Sequence, residues 1–217
     1  MENNSTELVF ILDKSGSMAG LEKDTIGGYN SVLTKQKEVD GECRITTVLF
    51  DDKYELLHDR IDIAAVKLIS GKEYYVGGST ALLDAIGMTI NKISKIQQIT
   101  ADGHKASKVL FVIITDGEEN SSKEYSPDKI KAMVEEHREK HGWEFLFLGA
   151  NIDAIKTAGR FGIAADRAQN YNADSTGSQV VYASLAKATA EFREAPANAP
   201  LASDWNAEIE EDFQNRK

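Results

Sequence analysis

The stretch Leu8-Val9-Phe10-Ile11-Leu12-Asp13-Lys14-Ser15-Gly16-Ser17 decides the fold. Its first five residues are apolar without alternation, as expected of a central parallel strand covered on both faces. Immediately after them, Asp13, Ser15 and Ser17 put oxygen-bearing side chains on every second position. A loop leaving the carboxyl end of a parallel strand is where open α/β sheets build ligand sites, so the segment reads as a strand delivering a candidate cation site. Taken alone the spacing is a weak signal, because Asp and Ser also gather in such turns to cap the helix that follows.

Working outward, Ile45 to Phe50, Val109 to Ile114 and Phe145 to Leu148 read as further strands, and Ala168 to Tyr171 as a last short one. Cys43 to Phe50, Asp51-Asp52-Lys53 and Tyr54 to Leu57 read as an antiparallel hairpin, giving a mostly parallel sheet one reversed edge strand. Between the strands, Leu21, Ile26, Tyr29, Val32 and Leu33 fall near helical spacing, as do Leu82, Leu83, Ile86, Ile90 and Ile93, and then Ile130, Met133, Val134 and His137. This alternation predicts a three-layer, doubly wound, Rossmann-like α/β fold. Ser126 is the expected N-cap of a helix with Pro127 at its first position, running to about His141 and ended by Gly142. A short helix ends near Gly162, and a longer one runs from about Ser178 to Arg193.

One domain over 1–194 is expected, followed by a linker and tail over 195–217. Ala195-Pro196-Ala197-Asn198-Ala199-Pro200 is rich in helix breakers, and Trp205, Ile209 and Phe213 are spaced so that a tail helix either docks through them or stays undocked. The chain has 217 residues, 41% hydrophobic and 28% charged, which suits one ordinary globular core. Its net charge of -10 argues against binding nucleic acid, whose footprint is a basic patch. Cys43 is the only cysteine, so no intrachain disulfide forms. No apolar stretch is long enough to insert in a membrane, and Met1 to Thr6 lack the basic and apolar regions of a signal peptide; a cytoplasmic location, or one set by a partner, is the expectation.

Two more segments strengthen the cation reading. Gly77-Gly78-Ser79-Thr80 puts hydroxyls in a tight turn before the amphipathic run from Leu82, and Lys108 to Thr115 is a second continuous apolar strand delivering Asp116-Gly117. These three segments, in this order, resemble the metal-ion-dependent adhesion site (MIDAS) of the von Willebrand factor type A family, and the resemblance covers most of the chain up to about Ser178. It implies Asp13, Ser15, Ser17, Thr80 and Asp116 as the metal-binding residues. A signal-free chain without a large extra domain is more similar to the intracellular bacterial or phage-type members than to extracellular adhesins.

The chemistry is intelligible from the residues. A hard cation such as Mg²⁺, with Mn²⁺ or Ca²⁺ as alternatives, takes oxygen ligands. Ser15, Ser17 and Thr80 offer neutral hydroxyls, while Asp13 and Asp116 offer carboxylates, directly or through water. So few charges leave the cation electrophilic, and the resemblance implies that an Asp or Glu of a partner protein completes its coordination. Helix N-termini after Ser17 and Thr80 would add positive dipole ends favouring that anion. The function expected is thus a non-enzymatic, metal-dependent protein-binding module of adhesion or scaffold type. The alternative is a Mg²⁺-dependent phosphoryl-transfer or hydrolytic enzyme, but Ser15 stands where a haloacid-dehalogenase-like phosphatase would carry its second Asp.

Each residue also has a plainer reading. Thr80 would simply cap its helix and Asp116 hold the turn with Gly117. Asp84 would sit on the helix surface or support the site by hydrogen bonding, and Glu118 and Glu119 would shape ligand choice or be solvated. His137 and His141 lie one helical turn apart, but Arg138 occupies the place of the general base in a zinc-protease motif and no third ligand is suggested. His58 and His104 read as surface or loop residues, and Trp143 and Trp205 as packing anchors.

Overall fold

Residues 5–197 and 199–216 are described by the computed structural model. Among them six strands form one sheet: β1 (Thr6–Asp13), β2 (Cys43–Phe50), β3 (Tyr54–Asp62), β4 (Lys108–Thr115), β5 (Glu144–Ala150) and β6 (Ala168–Tyr171). Their spatial order is β3-β2-β1-β4-β5-β6, with β3 antiparallel to β2 and every other pairing parallel. The helices are α1 (Glu22–Lys37), α2 (Leu82–Ile99), α3 (Pro127–His141), α4 (Ala154–Arg160), α5 (Ser175–Glu194) and α6 (Ala207–Asn215). None of those described is long and apolar enough to cross a membrane.

The unbroken apolar run of β1 has a direct explanation in the layers. Leu8, Phe10 and Leu12 face a core shared with Tyr29 and Val32 of α1 and Val181 and Leu185 of α5. Val9 and Ile11 face a second core shared with Leu82, Ile86 and Ile90 of α2 and Ile130 and Val134 of α3. Each face of the strand needs an apolar side chain, so alternation disappears. Gly28 is required where α1 meets α5: a Cβ there would lie 2.1 Å from the Tyr182 ring.

β3 runs five residues beyond the expected Leu57, with register shifts near Thr47 and a left-handed Arg60 (φ 49°). His58, expected on the surface, is buried within it, its Nδ1 2.9 Å from Thr47 Oγ1. Ser126 caps α3 by accepting from the Lys129 amide, Pro127 opens the helix, and Gly142 closes it at φ 64°. α5 starts three residues before the expected Ser178, because Asp174 accepts from the Gly177 amide and captures the N-cap.

The tail is docked. Trp205 and Ile209 are buried in the core on the α5 side, Phe213 is half-buried, and Trp205 Nε1 donates to the Asp166 carbonyl at 2.8 Å. Of the other weak signals, His137 is buried against Trp143 at a ring separation of 4.4 Å, with Nδ1 2.7 Å from the Met133 carbonyl, and His141 is exposed.

Candidate metal centre

β1 and β4 are neighbours at the centre of the sheet, and the chain leaves them toward opposite sides: β1 leads into α1 and β2, β4 into α3 and β5. This is the topological switch point, where the loops diverge and leave a crevice at the strands' carboxyl ends. Asp13 ends β1, and Asp116 follows β4 directly. Both side chains lie at that crevice and both are buried, at 1% and 2% exposure.

Around them the loop residues are tied together by short hydrogen bonds. Asp13 Oδ1 accepts from the Ser15 amide at 2.7 Å, and Asp13 Oδ2 from Thr115 Oγ1 at 2.6 Å. Ser17 Oγ donates to Asp116 Oδ1 at 2.6 Å and lies 3.1 Å from Ser15 Oγ. The loop carrying Thr80 is pinned alongside, since Gly16 N donates to the Gly78 carbonyl at 3.1 Å and Gly77 N to the Lys14 carbonyl at 2.9 Å. Gly117 closes the ring: a Cβ there would stand 3.1 Å from Ser17 Oγ and 3.4 Å from Thr80 Oγ1. Asp13, Ser15, Ser17, Thr80 and Asp116 therefore come to one place, although they derive from three separate loops. Ser17 is exposed while Ser15 and Thr80 are buried, so the cluster opens to solvent on the Ser17 side.

The plainer readings of Thr80 and Asp116 do not describe their surroundings. The N-cap of α2 is Ala81, with no side-chain cap bond. The turn at Gly117 is held by Thr115, whose Oγ1 bonds both the Gly117 carbonyl and its amide at 3.2 and 3.3 Å. The dipole expected behind Ser17 is also corrected, because Gly16–Met18 forms one 3₁₀ turn and α1 begins only at Glu22.

Several supporting residues lie outside the motif. Asn120 clamps Thr80 reciprocally: its Oδ1 accepts from the Thr80 amide at 2.9 Å, and its own amide donates to the Thr80 carbonyl at 3.1 Å. Glu119 is no solvated loop acid, since its carboxylate accepts from the amides of Leu83, Ser121 and Ser122 and so caps the start of α2. Asp84 gathers the amides of Lys123, Glu124 and Tyr125. Tyr74 donates its hydroxyl to the Asp13 carbonyl at 2.5 Å. Glu119 and Asp84 were visible as nearby acids; Asn120 and Tyr74 had no signal, because their partners lie 40 and 61 positions away in the chain.

The electrostatics of the two carboxylates are unfavourable to their ionised forms. Burial raises the Asp13 carboxyl to about 6, against the hydrogen bonds from Ser15 and Thr115, and the nearby Asp116 charge pushes the same way. Asp116 is raised as well, mainly by burial. Its Oδ2 is buried without any hydrogen-bond partner among the described residues, a costly condition for a carboxylate unless a ligand meets it. Among the described residues no group of three or more His, Cys, Asp or Glu could hold a metal. This donor set of three hydroxyls and two carboxylates suits a hard cation such as Mg²⁺ rather than a soft one.

Neither a protein-family model nor a curated protein matches the sequence. Solved structures do share the architecture. The von Willebrand factor type A structure from Catenulispora acidiphila superposes with a TM-score of 0.58 at 12% identity, over 86% of this chain and 42% of that one. Proximal thread matrix protein 1 from the mussel byssus, in a structure with a zinc-occupied MIDAS motif, gives 0.58 at 11% identity, over 88% and 47%. The ArnB paralog VWA2 from Sulfolobus acidocaldarius gives 0.53 at 17% identity, over 86% and 45%. The chain thus spans less than half the length of each of these proteins. By its strand order, its single reversed edge strand and these neighbours, this chain has the von Willebrand factor type A fold.

Proposed function

We propose that the chain is a metal-dependent protein-binding module whose cation, Mg²⁺ in the first instance, is held by Ser15, Ser17, Thr80, Asp116 and Asp13. The observation that carries this reading is the buried, unpartnered Asp116 Oδ2 beside three clustered hydroxyls at the switch-point crevice. Asp116 offers an oxygen with no competing partner. Asp13, engaged through both oxygens, contributes a fixed negative charge and a bond through water or a shared lone pair. A bound cation would supply positive charge that an arriving carboxylate can meet from the open Ser17 side. The neighbours with this fold include a byssus matrix protein carrying zinc at its MIDAS motif, which supports a divalent ion and a binding rather than catalytic role. Charges more than about 8 Å away are largely screened in physiological salt, so the net charge of -10 does not prevent an Asp or Glu of a partner from approaching.

The phosphoryl-transfer alternative gains no support from the site, where the second position after Asp13 is a serine within 3.1 Å of another. Calorimetric titration of metal-free protein with Mg²⁺ and Mn²⁺ tests the proposal. Saturable binding in the wild type, lost in folded Asp13→Ala and Thr80→Ala variants, is the expected result. Binding retained in both variants would place the ion elsewhere.

A further inference from the structure

Asn120 follows Asp116 in the loop after β4 and is exposed, yet it holds a residue of a different loop. Its Oδ1 accepts from the Thr80 amide at 2.9 Å and its own amide donates to the Thr80 carbonyl at 3.1 Å, so one residue grips Thr80 at both peptide groups. Because the Thr80 amide is a donor, the Asn120 side chain is fixed with its oxygen inward. The same loop is tied to the start of α2 at two further points. Glu119 accepts from the Leu83 amide at 2.9 Å, and Ser122 Oγ accepts from the Asp84 amide at 3.0 Å. Thr80 and Asp116, drawn from two segments of the chain, thereby belong to one hydrogen-bonded body.

Thr80 needs such a grip. It follows Gly77 and Gly78, the latter at φ 74°, where the backbone is intrinsically permissive. Its side chain is β-branched and stiff at χ1, so the direction of Oγ1 is set largely by the backbone that carries it. That oxygen lies 3.4 Å from where a Cβ on Gly117, the residue after Asp116, would stand. Restraining both peptide groups of Thr80 restrains one neutral oxygen relative to Asp116.

The consequence concerns which ion the cluster takes. Mg²⁺ demands near-ideal octahedral geometry with oxygens at about 2.0–2.1 Å, whereas Ca²⁺ accepts roughly six to eight oxygens at about 2.3–2.6 Å in flexible arrangements. Freedom of a ligand oxygen over a few tenths of an ångström, on the order of the difference between those distances, is costly to Mg²⁺ and tolerable to Ca²⁺. We propose that Asn120 is a positioning residue that sets ion choice: by fixing Thr80 against Asp116 it favours Mg²⁺ over Ca²⁺. The inference rests on the metal-dependent reading above and deepens it, since it assigns the selectivity of that site to a residue whose own oxygen is engaged elsewhere. A clamp that only stabilised the loop would change both affinities alike.

The test titrates the metal-free full chain with Mg²⁺ and with Ca²⁺ by calorimetry, and follows exchange of the Thr80 amide by ¹⁵N NMR without metal. In Asn120→Ala the Thr80 amide loses its acceptor and is expected to exchange about fivefold faster, and Mg²⁺ affinity to fall about fivefold, the usual contribution of a neutral hydrogen bond. Ca²⁺ affinity is expected to change by less than about twofold. Asn120→Asp keeps an acceptor for the Thr80 amide, and its added charge attracts both divalent ions alike, so the Mg²⁺/Ca²⁺ ratio is expected to return to that of the wild type. Ser122→Ala removes the tie to Asp84 from the same loop and is expected to leave the ratio unchanged. An unchanged ratio in Asn120→Ala, whether both affinities fall or neither does, would overturn the inference with the metal site left standing. So would an equal shift in Ser122→Ala, a ratio in Asn120→Asp that stays at the Ala value, an unchanged Thr80 exchange rate, or a wild type that prefers Ca²⁺. Absence of saturable binding of either ion to the wild-type chain would overturn the metal-dependent reading and this inference together.

Discussion

Asp13 experiences two opposed influences. Burial disfavours its charge, while the Ser15 amide and Thr115 hydroxyl stabilise it, and burial prevails to hold the metal-free carboxyl at about 6. The unfolded chain holds it near 3.8, so the folded state binds the proton more tightly. The metal-free protein therefore keeps this stability fully below pH 3.8 and loses it as pH rises through about 6, an effect of a few kcal/mol by linkage. A cation needs the ionised form, which reverses the dependence. Thermal unfolding should show a large Mg²⁺-induced rise in Tm at pH 7.5 and a small one at pH 5, with the difference shrinking in Asp13→Asn. An equal rise at both pH values would show that Asp13 does not take part.

At the scale of elements, the helices are fixed at the end of the sheet opposite the site by two buried cations without carboxylate partners among the described residues. Arg193, 2% exposed, donates to the carbonyls of Gln36, Val39 and Gly41 at 2.5, 2.9 and 3.1 Å, so the end of α5 caps the end of α1. Lys108, at the start of β4, donates to the carbonyls of Phe192, Arg193 and Ala195 at 2.9, 2.7 and 2.5 Å, closing α5 in turn. Carbonyls at helix C-termini carry partial negative charge and have no partners within the helix, so they stabilise a buried cation. Arg193→Met keeps the apolar stem and removes the charged donor from those carbonyls; we expect a loss of about 3 kcal/mol in denaturant unfolding, with Mg²⁺ affinity within twofold of wild type. A large change in metal affinity would show the two ends to be coupled. None of this was legible in the sequence, where Arg193 and Lys108 are single charges in an α-helix and a strand. The start of α5 was missed for a related reason: Ser178 and Asp174 are both good caps, and the choice was made by the bond from Gly177 to Asp174.

For the whole molecule, the strand order came only from the structure, whereas the strands and the layers could be read because each central strand is apolar on both faces, a property of five or six consecutive residues. Local signals of that kind survive in sequence. The candidate site was legible because Asp13 and Asp116 stand at strand ends and Thr80 in a glycine turn just before α2, each marked by a local pattern. What could not be read comes from contacts between distant segments: Asn120 on Thr80, Thr115 on Asp13, and the long turn-rich passage after β3 that buries Ile63, Val66, Ile69 and Tyr74. His58 belongs with them, since its burial depends on where Thr47 of the neighbouring strand places its hydroxyl. The tail was ambiguous by pattern, and its docking is decided by Trp205 and Ile209 entering the core on the α5 side and by the Trp205 bond to Asp166. The molecule consequently has one end built for rigidity and another where buried carboxylates and hydroxyls meet solvent. The most direct measurement of the central claim is anomalous diffraction from crystals grown with Mn²⁺. The account predicts one strong peak bonded to Asp116 Oδ2 and to the hydroxyls of Ser15, Ser17 and Thr80; a well-occupied manganese elsewhere, with this cluster unchanged, would contradict it.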